Sequence, residues 1–273
     1  MELLILLGLI ALGAGAGIMG SLFGLGGGVI FVPVLMLAFG MAPAEAAAVS
    51  LVGIVAGSVG ASSIFVEKGL ANVRLGLLLE VTTTVGAIAG AIIAGLLEDW
   101  ILSILFCCVM IYSAFRMIVS PEKVIEPKDT DGRMSFTYRD EANGDDISYE
   151  VQNVGKGGLA CVFAGMMSSM TGVGGGAIKV PVMNLIMHVP MKAASSTSSY
   201  MIGITAFSGA VTYFFSGQLD LPFAGAVAIG AFIGALAGTY LARKMNTKHL
   251  RRYFSVVLFI MSALVLLRVG GIL

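Results

Sequence analysis

The sequence predicts an all-α polytopic membrane protein made of two inverted five-segment repeats. Broken or short helices meet at a central site, and a small cytoplasmic β-hairpin-like insert separates the halves. Three observations predict this. The 273 residues are 58% hydrophobic and only 12% charged, where a soluble domain carries about a quarter charged residues, and apolar runs long enough to cross a bilayer recur. Second, a shift of 148 positions aligns the two halves without a gap, placing Gly24-Leu-Gly26-Gly27-Gly28 on Gly172-Val-Gly174-Gly175-Gly176 and Val32-Pro33-Val34 on Val180-Pro181-Val182. Third, the basic residues alternate between loops in opposite senses in the two halves.

The first half (1–119) carries apolar segments near 3–22, 29–41, 44–65, 74–97 and 101–119, and the second (154–273) near 156–171, 177–189, 193–215, 221–242 and 250–268. The first segment has no basic flank, only Glu2, and recurs inside the chain, so it reads as a membrane helix and not as a signal peptide. An odd number of crossings per half inverts the second half relative to the first. Cytoplasmic loops collect Lys and Arg. Lys68 and Arg74 mark one inside loop, whose counterpart around Asp220 has no base. The next loop reverses this: Glu98 and Asp99 face Arg243, Lys244, Lys248, Arg251 and Arg252. With both termini outside, 14 of the 16 basic residues fall on the cytoplasmic side, leaving Lys179 and Arg268.

The insert, 120–153, holds nine acids and four bases, so it carries −5 and the membrane body +5. A cationic membrane body points to an anionic ligand. Within the insert, Phe136 and Tyr138 alternate against Ile147, Tyr149 and Val151 around Asn143-Gly144, a hairpin signature. An isolated hairpin is marginal in water, so it must pack on something; a tolerated linker is the simpler reading and a regulatory element the other.

The second segment of each half is too short to cross. Residues 29–41 make a helix of about 20 Å against a hydrocarbon core of about 30 Å, which leaves its glycine-rich start at membrane depth. Irregular backbone there is tolerated only where protein buries it or it lines a cavity. Each short helix is expected to begin near Val29 or Ala177, with Pro33 or Pro181 in its first turn. Free N–H groups, the helix dipole and close backbone approach at glycine suit an anion. The alternative is close helix packing, which accounts for scattered pairs such as Gly86 and Gly90. A dinucleotide fingerprint and a Walker motif both fail, for want of a preceding strand and of a Ser or Thr after Lys179.

The candidate substrate-binding residues are therefore Gly24, Gly26, Gly27, Gly28 and Ser50 in the first half, with Thr171, Gly172, Gly174, Gly175, Gly176, Lys179, Ser195 and Ser198 in the second. Lys179 stands where the first half has Phe31, and an ionisable residue inside the membrane is a functional site by default; snorkelling and a structural ion pair are the alternatives. Ser195 and Ser198 or Ser199 share a helix face, and their hydroxyls either donate to an anion or bond back to the helix. Ser50 is the counterpart of Ser198. Glu80, read first as a partner of Arg74, and His188, read first as interfacial, are the candidate coupling residues. Cys107, Cys108 and Cys161 read as small core residues, without the spacing of a metal site, and no cofactor is expected.

The duplicated FGLGGGVIFVPVL and TGVGGGAIKVPVM, each followed by a hydroxyl-bearing segment (SLVG and SSTSSYMIG), resemble the TauE/SafE sulfite-exporter family over nearly the whole chain outside 120–153. The resemblance implies a multi-pass plasma-membrane transporter of small inorganic or organic sulfur anions such as sulfite, thiosulfate or sulfoacetate. Coupling to a proton or another cation, and assembly as a homo-oligomer in the lipid bilayer, are left open; nucleic acid is not an expected partner. A secondary transporter working by alternating access ranks first, an anion-selective channel second, and a membrane-embedded thiol redox enzyme using Cys107-Cys108 third.

Overall fold

The computed structural model describes residues 2–41, 43–94, 134–171, 175–215, 217 and 219–269, with scattered positions between 104 and 119. In chain order the helices are α1 (Glu2–Phe23), α2 (Gly28–Phe39), α3 (Pro43–Glu67) and α4 (Val73–Ala94). The strands β1 (Ser135–Arg139) and β2 (Asp146–Glu150) follow. Then come α5 (Val154–Thr171), α6 (Gly176–Pro181) continuing as a π-helical turn over Val182–Ile186, α7 (Met191–Phe215), α8 (Leu221–Lys244) and α9 (Thr247–Val269). The fifth segment expected in the first half, 101–119, lies largely outside the described residues.

Among the described residues three stretches are long and apolar enough to cross a membrane: Leu4–Phe23, Glu45–Glu67 and Leu221–Lys244. At 1.5 Å per residue, 20 residues reach about 30 Å, the depth of the hydrocarbon layer. Large apolar side chains such as Phe207, Ile229, Ile233 and Ile260 stand exposed, while Lys179, Lys192 and Ser195 to Ser199 are buried. Exposed apolar surface on that scale needs an apolar surrounding, so the protein is a helical membrane protein.

The chain divides into two compact units, each drawing on both halves of the sequence. One contains Met1–Gly76 and Ser195–Lys244; the other contains Leu77–Ala194 and Met245–Leu273. In the first unit α1 lies along α8 with glycines at the contact. A side chain at Gly13 would strike the Val227 carbonyl, one at Gly17 the backbone of Ala231, and one at Gly234 the backbone of Ala14. Small residues let helix backbones approach in a membrane, where dispersion replaces the hydrophobic drive. Beside this seam Phe31, Leu35, Val49, Ile54, Ile202 and Val227 form the core, all essentially inaccessible.

The second unit repeats the device between α4 and α5. A side chain at Gly86 would meet the backbone of Val162, and one at Gly165 the backbone of Thr83. These pairs are related by number to those of the first unit: Gly86 precedes Gly234 by 148 positions, and Val162 follows Ala14 by the same interval. Gly165 and Thr83 stand in the same relation to Gly17 and Ala231.

The hairpin belongs to the second unit. Its strands are antiparallel, from Ser135 opposite Glu150 to Arg139 opposite Asp146. The loop between them is closed by Asp140 N–H donating to the Asp145 carbonyl at 2.8 Å, with Gly144 at φ +79°. Tyr138, Tyr149 and Val151 are buried. The exit strand is tied to the end of the π-turn: Gln152 N–H donates to the Met187 carbonyl at 3.0 Å and Asn153 Nδ2 to the Ile186 carbonyl at 3.0 Å. Lys192, in the first turn of α7, bonds Asp140 Oδ1 at 2.5 Å, with both side chains almost fully buried. Removing one member of a buried ion pair costs about 3–5 kcal/mol. Asp140→Ala is therefore expected to undock the hairpin, read as a large increase in proteolytic cleavage between 139 and 146. Unchanged cleavage would show that the aromatic contacts alone hold it.

Candidate functional site

In the first unit α1 stops at Phe23 because Gly24, Gly26 and Gly27 take φ of +70°, +74° and +81°. Only glycine adopts such angles freely. Leu25 N–H returns to the Gly20 carbonyl at 3.1 Å, and Ile30 and Phe31 N–H both reach the Gly27 carbonyl, so α2 starts at Gly28 with Gly27 as its cap. Protein fills the space beside each bend: a side chain would meet the Ser195 carbonyl at Gly24, Ile54 and Ile202 at Gly26, and the Ala16 carbonyl at Gly27. Close packing accounts for these three glycines.

The hydroxyl run on α7 is buried throughout. Ser198 Oγ donates to the Gly24 carbonyl at 2.7 Å, pinning α7 to the break. Thr197 Oγ1 accepts from Asn72 N–H at 2.9 Å, and Asn72 Oδ1 in turn caps α4 through Leu75 N–H. Ser58 Oγ donates to the Ser199 carbonyl at 2.5 Å. With its proton engaged, Ser198 has only lone pairs to offer a ligand. Ser50 Oγ and Ser199 Oγ differ: both are buried and find no partner among the described residues. A buried unsatisfied hydroxyl costs about 1–3 kcal/mol, so these two are the donors this unit holds in reserve. Ser50 was among the residues expected from the sequence; the partnerless state of Ser199, and the structural roles of Asn72 and Ser58, were not.

In the second unit Gly172 and Gly174 lie outside the described residues, as does the side chain of Thr171, the last residue of α5. Gly175 caps α6 with φ −60°, an ordinary right-handed conformation unlike that of Gly27. The helix begins at Gly176 and is fully buried. Pro181 closes it and is not in its first turn, as Pro33 is not in the first turn of α2. Lacking an N–H, Pro181 cannot continue the α ladder, and the chain widens into the π-turn, a feature common at functional positions. Asn184 Nδ2 then ties back to the Val189 carbonyl at 3.0 Å. His188 turns the chain at φ +56°, and its Nδ1 is buried without a partner among the described residues.

Lys179 lies in the middle of this short helix, completely inaccessible, with Nζ 3.0 Å from Glu80 Oε2 on α4. The expected pairing of Glu80 with Arg74 is thereby corrected. Six residues along a helix is two-thirds of a turn out of phase, so the two side chains leave α4 on different faces. Gly175 makes room for the lysine stem, since a side chain there would approach Cε at 3.0 Å. The Cys161 thiol on α5 is near enough to interact electrostatically with both charges. Elsewhere in this unit Cys107 Sγ contacts the Ser262 carbonyl at 3.5 Å, and Cys107 and Cys108 are unbonded.

A helical protein with many large apolar side chains outward belongs in a bilayer, and its relatives make it a membrane transporter by class. It belongs to the family described as sulfite exporter TauE/SafE, whose sequence model matches residues 9–265. The chain is 29% identical over 260 residues to a protein of Bacillus subtilis named probable membrane transporter protein YunE, covering 92% of this chain and 94% of the relative. A probable membrane transporter protein of Haemophilus influenzae is 24% identical over 259 residues, 89% of each. A sulfite exporter TauE/SafE family protein 5 of Arabidopsis thaliana is 28% identical over 141 residues, 51% of this chain and 31% of the relative. No solved structure matches. Members of this family are transporters and not enzymes, which removes the thiol redox reading.

Proposed function

We propose that the protein is a secondary transporter that moves small sulfur-containing oxyanions or organosulfonates, of the sulfite, thiosulfate or sulfoacetate kind, across the cell membrane by alternating access. One observation carries the reading: Lys179, a fully buried cation on a short helix that follows a glycine stretch. A cation is retained in such surroundings where it meets a ligand or a proton pathway, and a buried ammonium with three donors suits an oxyanion. The family description and the name of the Arabidopsis relative supply the sulfur chemistry.

The inverted arrangement draws support from the paired contacts: a duplicated chain whose halves exchange their fourth helices would repeat Gly234 on Ala14 as Gly86 on Val162. On the loop charges alone, we read both termini as outside and the 120–153 insert as inside. Gly24, Gly26, Gly27 and Gly28 then serve chiefly to shape the first break. Ser50 and Ser199 carry hydroxyls available to an anion, and Gly175 and Gly176 present the turn that holds Lys179.

The test is a flux panel on purified protein in liposomes, with sulfite, thiosulfate, sulfate and small sulfonates, with and without a pH gradient. Saturable uptake and counterflow of at least one sulfur anion is expected. Unitary currents would mark a channel instead, and no flux with any of these anions would remove the function.

A further inference from the structure

We propose that Glu80 is the proton carrier of the transporter and that it competes with the substrate anion for Lys179. The inference rests on the reading of Lys179 as the substrate's counter-ion. In the structure Glu80 already occupies that role, 3.0 Å from Nζ with both side chains buried. An arriving anion thus meets a neutralised lysine. If it takes the ammonium while Glu80 stays ionised, two negative charges share one positive charge where water does not screen them. Like charges that close cannot both persist in low dielectric.

Proton uptake by the carboxylate resolves the conflict. The exchange balances: ionised Glu80 on Lys179, plus a monoanion and a proton, becomes neutral Glu80 and the anion on Lys179. No net charge enters the buried site, and no bond other than Glu80 O–H is made. Release on the opposite side reverses both transfers, so anion and proton move together. Glu80 contacts the Lys179 ammonium of α6 at 3.0 Å, and the Cys161 thiol of α5 lies within electrostatic reach of both charges. On α4 itself the nearby hydroxyls are engaged, Thr83 Oγ1 with the Leu79 carbonyl at 2.8 Å and Thr84 Oγ1 with the Glu80 carbonyl at 2.8 Å. A purely structural pair is the weaker account, because a buried ion pair seldom stabilises more than apolar residues of like volume.

The test measures binding to full-length protein of methanesulfonate and ethanesulfonate, monoanions whose own charge does not change between about pH 5 and 8. By linkage, binding that takes up a proton weakens as pH rises, approaching about tenfold per pH unit once free Glu80 is ionised. Wild type should show this loss, together with proton uptake registered as a buffer-dependent heat of binding. Uptake driven by an anion gradient should acidify the liposome lumen. Glu80→Gln should bind with one affinity at every pH and take up no proton, whereas Glu80→Asp should keep the pH dependence. Proton uptake by wild type is read without any variant, so a misfolded Glu80→Gln does not remove the test. Wild-type binding that is flat in pH, or Glu80→Gln with the wild-type slope, overturns the inference while leaving the transport reading intact. Failure of every anion to bind at any pH overturns both.

Discussion

Lys179→Met is expected to abolish sulfur-anion uptake, with binding weakened by at least about 30-fold, as for loss of one member of a buried hydrogen-bonded charge pair. The single variant also strands Glu80, whose carboxylate loses the cation 3.0 Å away. Leaving one buried charge unmatched costs about 3–5 kcal/mol, so part of the loss would come from reduced stability. The double variant Lys179→Met/Glu80→Gln separates the effects. Neutralising both partners removes the stranded charge and leaves the smaller cost of a buried amide, so most of the thermal stability should return while uptake does not. A stable double variant that still transports near the wild-type rate would remove Lys179 from the substrate's path.

Gly24→Ala carries the second large effect. At φ +70° an alanine incurs roughly 1–2 kcal/mol of backbone strain. Its methyl carbon would also lie 2.5 Å from the Ser195 carbonyl, a contact that backbone must relieve. Relief would pull α7 off the break and stretch the 2.7 Å bond from Ser198 to the Gly24 carbonyl. The melting temperature in detergent should fall by roughly 5 °C, with uptake reduced in step. Gly15 is the control, because a side chain on that face of α1 meets nothing within 4 Å. Gly15→Ala should match or exceed wild-type stability, since alanine is the better helix former by about 1 kcal/mol. Equal melting temperatures for the two variants would show that the bend tolerates a side chain.

The apolar runs located the described helices to within a few residues, because hydrophobic length is set by the bilayer and not by particular neighbours. The expected starts at Val29 and Ala177 became Gly28 and Gly176. The buried pair was not legible, since its members are 99 positions apart and nothing local announces the contact. The sequence drew attention to Arg74 instead, although helical phase already argued against it. Nor could matched glycine motifs disclose that Gly27 bends left-handed while Gly175 does not, because glycine permits either. Among the serines, type and spacing marked a polar helix face. Which hydroxyl is engaged and which is idle depended on what lies opposite each one, the Gly24 carbonyl for Ser198 and the Asn72 N–H for Thr197.

The pairing of α1 with α8 sets the order in which the protein can be completed. The first helix leaves the ribosome some 220 residues before its main neighbour. At about 5–20 residues per second, that is a wait of roughly 10–40 s. During it the small-residue face of α1 stands in lipid or against the insertion machinery, since the glycines that cradle it at Gly230, Gly234 and Gly238 have yet to be translated. A helix made that long before its partner is thus enclosed only late in synthesis.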